Sequence, residues 1–258
     1  MIGKKLVLGI AFFSLFIISS CKNDDGPADP EIDRTANLLA TGDSANDLLS
    51  DTTYNSLVLE IVSVRGFELR SSSVQNLTNF LNERINKPGG IRVIQRSIDA
   101  PQNEDYSLQQ IANIERDQRQ NYNSEDEIAV YLFNANRKSE EDTDPDSFTL
   151  GAAYRNTSFV LFGSVIQDLG TRNNGVSTEQ IESATLQHEF AHLLGLVDLG
   201  TPMQTDHLDE ENGQHCNVAN CLMNFQITFS SGNMNMMGSS DPELDPLCIA
   251  DLQANGGR

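Results

Sequence analysis

The spacing of apolar residues changes several times along the chain, and each change predicts an element. Leu57 to Val64 (Leu-Val-Leu-Glu-Ile-Val-Ser-Val) is nearly continuous and rich in β-branched residues, which predicts a buried strand. Val74, Leu77, Phe80, Leu81 and Ile85 then recur at helical spacing and stop before Pro88-Gly89-Gly90, so a helix over Ser73 to Ile85 follows. Ile91 to Ile98 predicts a second strand. Ser107 to Tyr122, with Leu108, Ile111 and Ile114 on one face, predicts a second helix. Ile128 to Phe133 is a third strand, followed by a polar loop from Asn134 to Ser147. Thr149 to Tyr154 and Ser158 to Phe162 lie close enough in sequence to form a hairpin. Ser177 and Gln180 have the spacing of a capping box that opens the next helix.

The predicted order β-α-β-α-β-β-β-α describes an α/β (α+β) upper lobe ending in a helix. Ahead of it, Leu38-Leu39 and Leu48-Leu49 around Gly42 predict a lead-in segment with a short helix. Beyond it, Leu196 to Arg258 is loop-rich and reads as a small irregular lower lobe. Within that lobe, Ser230 to Ser240 is expected to be a surface loop and Asp245 to Ala254 a closing helix. No internal repeat is present.

The N-terminus has a different character. Lys4 and Lys5 precede an apolar run from Leu6 to Ile18, then Ser19-Ser20 and Cys21. The run is shorter than the ~20 residues of a membrane-spanning helix and has the order of an export signal. Ile18-Ser19-Ser20-Cys21 resembles a bacterial lipobox, whose cysteine is acylated. Lys22-Asn23-Asp24-Asp25 resembles the acidic surface-export tag of Bacteroidota lipoproteins. Residues 1–20 are therefore expected to be a lipoprotein signal peptide and 21–35 an acidic flexible tether. Residues 36–258 are expected to form one domain, with the upper lobe at about 36–195 and the lower at about 196–258. The implied location is the outer membrane or cell surface, with the anchor at Cys21.

At 258 residues and 38% hydrophobic, the chain is long enough to bury an enzyme-sized core. A net charge of −20 argues against nucleic acid as a partner, because both surfaces would be negative. A solvated acidic surface accounts for the charge.

The chemistry is concentrated in His188-Glu189-Phe190-Ala191-His192-Leu193-Leu194-Gly195. On a helix, residues four apart share a face, so His188 and His192 can offer two imidazoles to one metal ion. Glu189 beside them is placed to act as general base on an attacking water. Gly195 can take positive φ and turn the chain away toward a third ligand. The chain has four histidines, and all fall in this part of the sequence: His188, His192, His207 and His215.

The motif, the strand and helix order before it, and Met223 in Cys221-Leu222-Met223 resemble the metzincin clan of zinc metallopeptidases. His215-Cys216-Asn217-Val218-Ala219-Asn220-Cys221-Leu222-Met223 resembles a segment of archaemetzincins, and the lipoprotein leader is similar to that of predicted Bacteroidota membrane metalloproteases. The resemblance implies a metzincin-like zincin fold with a twisted mixed sheet, Zn²⁺ as cofactor, Met223 in a methionine turn, and a third zinc ligand beyond Gly195. His215 is the expected third ligand, held by a disulfide clamp between Cys216 and Cys221. Asp198, three residues after the glycine as in snapalysin-type enzymes, and His207 are the alternatives. Glu210 or Glu211 as a ligand would leave Gly195 without a purpose. The Cys216–Cys221 disulfide would leave Cys248 as a buried thiol; a Cys3His structural zinc site using His207 and a disulfide pairing Cys248 with Cys216 or Cys221 are the other arrangements. Where some metzincins carry a tyrosine after the methionine, this chain has Phe225. The expected function is a monomeric zinc-dependent endopeptidase acting on a peptide laid along an edge strand of the upper lobe, within Tyr154 to Phe162. The alternative is a non-catalytic surface lipoprotein, a binding module with a structural zinc.

Overall fold

The apolar runs of the upper lobe form a single sheet, and the lead-in segment packs against it. A 3-10 turn (Thr35–Asn37) and α1 (Ala45–Leu49) precede β1 (Ser56–Val64), which is buried from Leu57 onward. Then come α2 (Ser71–Arg84), β2 (Ile91–Ile98), α3 (Leu108–Gln118) and β3 (Glu127–Asn134). β4 (Gly151–Arg155) and β5 (Ser158–Leu161) are followed by α4 (Gly163–Arg172), α5 (Thr178–Leu193) and α6 (Pro246–Ala254). The computed structural model describes residues 33–102, 104–143, 148–172, 176–225 and 242–258, all within the unit Asp33–Arg258. The signal peptide, nearly all of the tether and the loop expected from Ser230 to Ser240 lie outside the described residues. Among the described residues no helix is long and apolar enough to cross a membrane.

The sheet order is β2-β1-β3-β5-β4. β1 pairs in parallel with β2 and β3, β3 pairs in parallel with β5, and β4 returns antiparallel to β5 as the expected hairpin. The mixed α/β sheet agrees with the predicted fold class. Parallel strands need both faces covered, which is why β1 and β3 read as unbroken apolar runs. β2 lies at one edge and is only half buried.

Three elements differ from the sequence pattern. α3 ends at Gln118, short of Tyr122, because the amides of Gln120 and Asn121 donate to the Glu60 carboxylate at 3.0 and 2.8 Å. Glu60 itself is fully buried in β1 and also accepts from Arg96 at 2.8 Å. Burial pushes its carboxyl up, but the hydrogen bonds from Asn121, Arg96 and the two amides outweigh burial and hold it below the ordinary value. α4 has no counterpart in the predicted order. It opens on Gly163-Ser164, contains Gly170, and presents only Val165, Ile166 and Leu169 as large apolar residues, too short a pattern to stand out.

The cysteines are the third difference. Cys216, Cys221 and Cys248 are all free and buried, so no disulfide clamps Cys216 to Cys221. The backbone does that work: the Cys216 amide donates to Met223 O at 2.7 Å, and the Leu222 amide to Glu243 O at 2.8 Å. Hydrogen bonds to the main chain hold the turn without a covalent link.

Candidate metal centre

α5 is a helix with twelve of its sixteen residues buried. Its N-terminus is fixed by the capping box read from the sequence, with Ser177 Oγ accepting from the Gln180 amide and the Gln180 side chain accepting from the Ser177 amide. It packs under β4 and β5 and beside α2 and α4. A helix this enclosed tolerates histidine and glutamate only where a local cleft or partner receives them.

The helix ends at Leu193, and Gly195, just past its cap at Leu194, has φ +80°. A Cβ there would stand 2.6 Å from the Thr201 amide nitrogen and 2.8 Å from Ala45 Cβ, so only glycine fits the turn. Thr201 Oγ1 donates to Leu194 O at 2.6 Å and secures the reversal. The chain then returns through the bridge Leu208–Cys216 and brings His215 back to the helix.

There His188, His192 and His215 form a group whose candidate ligand atoms all lie within 4.8 Å of one another. His188 Nδ1 donates to Leu222 O at 2.8 Å, and His215 Nδ1 donates to Gly213 O at 2.6 Å. A carbonyl only accepts, so each ring carries its proton on Nδ1 and presents the Nε2 lone pair. The Nε2 atoms of His188 and His192 are 3.0 Å apart. Burial lowers the pKa of all three rings, that of His192 to about 3, with the neighbouring imidazoles adding to the effect on His188 and His192. Three neutral, converging, buried imidazoles are the donor set that a divalent metal requires.

Glu189 points into the same cleft. Burial pushes its carboxyl up to about 8, against a hydrogen bond from the Ala153 amide. β4 makes room for it: a Cβ on Gly151 would stand 2.7 Å from Glu189 Cγ. The sequence pointed to an edge strand within Tyr154 to Phe162, but β5 lies inside the sheet between β3 and β4, and the edge beside the site is β4; Gly151 was missed, its signal a lone glycine at the start of a strand. The cleft is about 320 Å³ and is also lined by Thr41, Glu141, Leu199 and Gln214, none of which the motif could reveal.

The remaining residues separate clearly. Asp198 is exposed, with φ +68°, and does not join the three histidines. Met223 is fully buried in the turn that carries Leu222 O, and the Phe225 ring meets His215 edge-on at 5.4 Å. His207 belongs to a second group with Cys216, Cys248 and Asp245. Its Nδ1 lies 3.2 Å from Cys216 Sγ and 3.9 Å from Cys248 Sγ, while Cys221 Sγ is 3.7 Å from Cys248 Sγ. Its Nε2 donates to Asp251 Oδ2 at 2.7 Å, which turns the Nδ1 lone pair toward the sulfurs. Hydrogen bonds from Cys216 and Cys248 pull the Cys221 thiol down to about 5, while the hydrogen bond to Cys221 pushes Cys216 up and those to Cys216 and Cys221 push Cys248 up. Asp251 was missed in the sequence, although it stands one helical turn from Cys248 on α6.

No protein-family model and no curated protein matches the sequence. Among solved structures, the archaemetzincin of Methanopyrus kandleri matches with a TM-score of 0.52 and 18% identity, covering 78% of this chain and 96% of that one. The chain has an archaemetzincin-like fold. Metalloproteinase-II of Bacteroides fragilis matches with a TM-score of 0.40 and 13% identity over 80% of this chain and 56% of that one. In this archaemetzincin-like architecture the three-histidine group lies at the end of α5, against the turn formed by residues 221–224.

Proposed function

We propose that the protein is a zinc-dependent endopeptidase. The observation that carries this reading is the convergence of His188, His192 and His215 on one point, with the Glu189 carboxylate in the same cleft. His188, His192 and His215 would hold Zn²⁺, which supplies a Lewis acid for the scissile carbonyl and acidifies water when bound. Glu189 takes a proton from the attacking water and returns it to the leaving amine nitrogen, so the carboxyl ends each cycle as it began. Its raised pKa suits both halves of that transfer, and a divalent cation beside it would draw the value back toward neutrality. The Ala153 amide and the open space at Gly151 hold the carboxylate against β4. β4 is an edge strand, on whose backbone an extended peptide can pair.

The second group is read as a structural zinc site formed by Cys216, Cys221, Cys248 and His207, with Asp251 orienting the imidazole. Its donors fit: three packed thiols cannot all ionise without a cation, and thiolate with imidazole selects zinc. Anchoring through an acylated Cys21 rests on the leader sequence. Labelling with a radioactive fatty acid should mark the wild type and spare Cys21→Ser.

The test is cleavage of an unfolded protein by the full chain, run beside Glu189→Ala at equal zinc content. Proteolysis by the wild type, at least 10³-fold above the variant, supports the reading on the scale expected for loss of a general base. Two proteins that both hold zinc and are both inert would favour the non-catalytic binding module.

A further inference from the structure

Beyond Glu189 the cleft continues into a second cavity of about 550 Å³ that the proposed chemistry does not use. The two are continuous, since Thr41, Ala153, Leu199 and Gln214 line both. Along β4, Gly151 stands against Glu189, while Tyr154 and Arg155 rim the second cavity. The Glu189 carboxylate lies between Gly151 and the Ala153 amide, and at ~3.3 Å per strand residue the cavity reaches from Ala153 to Arg155, about 7 Å further along β4.

Its wall is apolar. α3 contributes Leu108 and Ala112, and the lead-in segment contributes Ala40. Among the described residues, the large hydrophobic side chains left exposed are Leu38, Leu39 and Leu108, at 49%, 47% and 42%. Leu38 and Leu39 immediately precede Ala40, so all three stand on the two segments that wall this cavity. That wall is fixed in place: Leu39 and Asn156 exchange hydrogen bonds of 3.1 Å in both directions. The rim guanidinium is already committed, with Arg155 Nη1 bonded to Glu115 at 2.8 Å. Glu141 and Glu189 line the first cavity only. Of the three exposed leucines, Leu108 lines the cavity itself, and an exposed apolar residue on the wall of a preformed cavity marks a binding surface.

We propose that this cavity is a substrate subsite that takes an apolar side chain such as Leu, Met or Phe, one to three residues to one side of the cleaved bond, with Leu108 setting the preference. The inference rests on the endopeptidase reading. Its occupant is a polypeptide laid along β4, because the cavity opens from the cleft that holds Glu189.

The experiment compares the zinc-loaded full chain with Leu108→Asp on a peptide library, sequencing the cut sites. Leu108 is a surface residue, so the substitution leaves the fold intact. Enrichment of Leu, Met or Phe at such a position is expected, with Leu108→Asp losing at least 10-fold in kcat/KM on those peptides and less than 2-fold on peptides with Ala there. Cleavage without enrichment, or enrichment unchanged in Leu108→Asp, overturns the subsite and leaves proteolysis standing. If neither protein cuts, the endopeptidase reading fails and binding decides the subsite. Photo-cross-linking of a Leu-bearing decapeptide to residues 108–112 of zinc-loaded Glu189→Ala, in preference to a Ser-bearing one, supports it; equal labelling of both overturns it.

Discussion

His188 Nδ1 lies 2.8 Å from the carbonyl oxygen of Leu222, thirty-four residues further along the chain. This contact fixes the tautomer of the first imidazole and joins the helix to the turn that carries Met223. Shortening Met223, which is fully buried, should let that turn relax. Met223→Ala is expected to cost about 2–5 kcal/mol of stability and to weaken zinc at the histidine site about 10–100-fold, as loss of an orienting partner does. Met223→Leu should keep both within a few-fold. Chelator competition and thermal melting measure the two effects separately.

Geometry separates His215, which joins His188 and His192, from Asp198, which does not. His215→Ala should lower zinc affinity at the three-histidine site at least 100-fold and remove proteolysis, while Asp198→Ala changes either by less than 2-fold. Metal content after dialysis, read together with activity, checks both. A loss with Asp198→Ala matching that of His215→Ala would contradict the assignment.

Gly151 owes its place to Glu189. A methyl group there meets Glu189 Cγ at 2.7 Å, so Gly151→Ala must push the carboxylate or the strand aside. The expected result is a fall in kcat of about 10-fold or more, with KM and zinc content unchanged. A fall in zinc content instead would place the damage at the histidines.

The thiol group makes a different prediction. Cys248→Ser should reduce bound zinc from two ions per chain to one and lower the melting temperature by several degrees. A strong chelator should destabilise the wild type and have a smaller effect on the variant. Melting curves with and without chelator give the comparison, because a structural metal contributes its binding energy to folding.

Glu60 supplies the pH dependence. Its folded pKa lies below its unfolded value of about 4.3, so the stability it contributes is present above that pH and is lost as pH falls through the lower folded value. Glu60→Gln removes the partner of Arg96 inside the sheet and should cost about 3 kcal/mol at neutral pH. The variant's stability should also fall less between neutral pH and the acid limb than that of the wild type, as denaturant titrations across pH would show. A parallel acid limb in the two proteins would contradict the assignment.

The local code of this chain is strong where one face of an element meets one environment. Leu57 to Val64 announced β1 because both faces of a parallel strand are buried, and Ser177 with Gln180 announced the start of α5 because a capping box is a contact within one turn. The spacing of His188, Glu189 and His192, and the glycine at 195, are equally local: helix geometry and positive φ determine them before any packing occurs. The resemblance favoured His215, but its own spacing left Asp198 open, and the tertiary structure brings His215 to these histidines because the long return from Gly195 is held by backbone hydrogen bonds among residues 207–223 that leave no periodic trace. It also left Cys216 and Cys221 as free thiols in one cluster with His207 and Cys248, set Gly151 against Glu189, and ended α3 on the Glu60 carboxylate. Each of these depends on the distance between elements far apart in sequence, and that distance is set by the packing of the whole core.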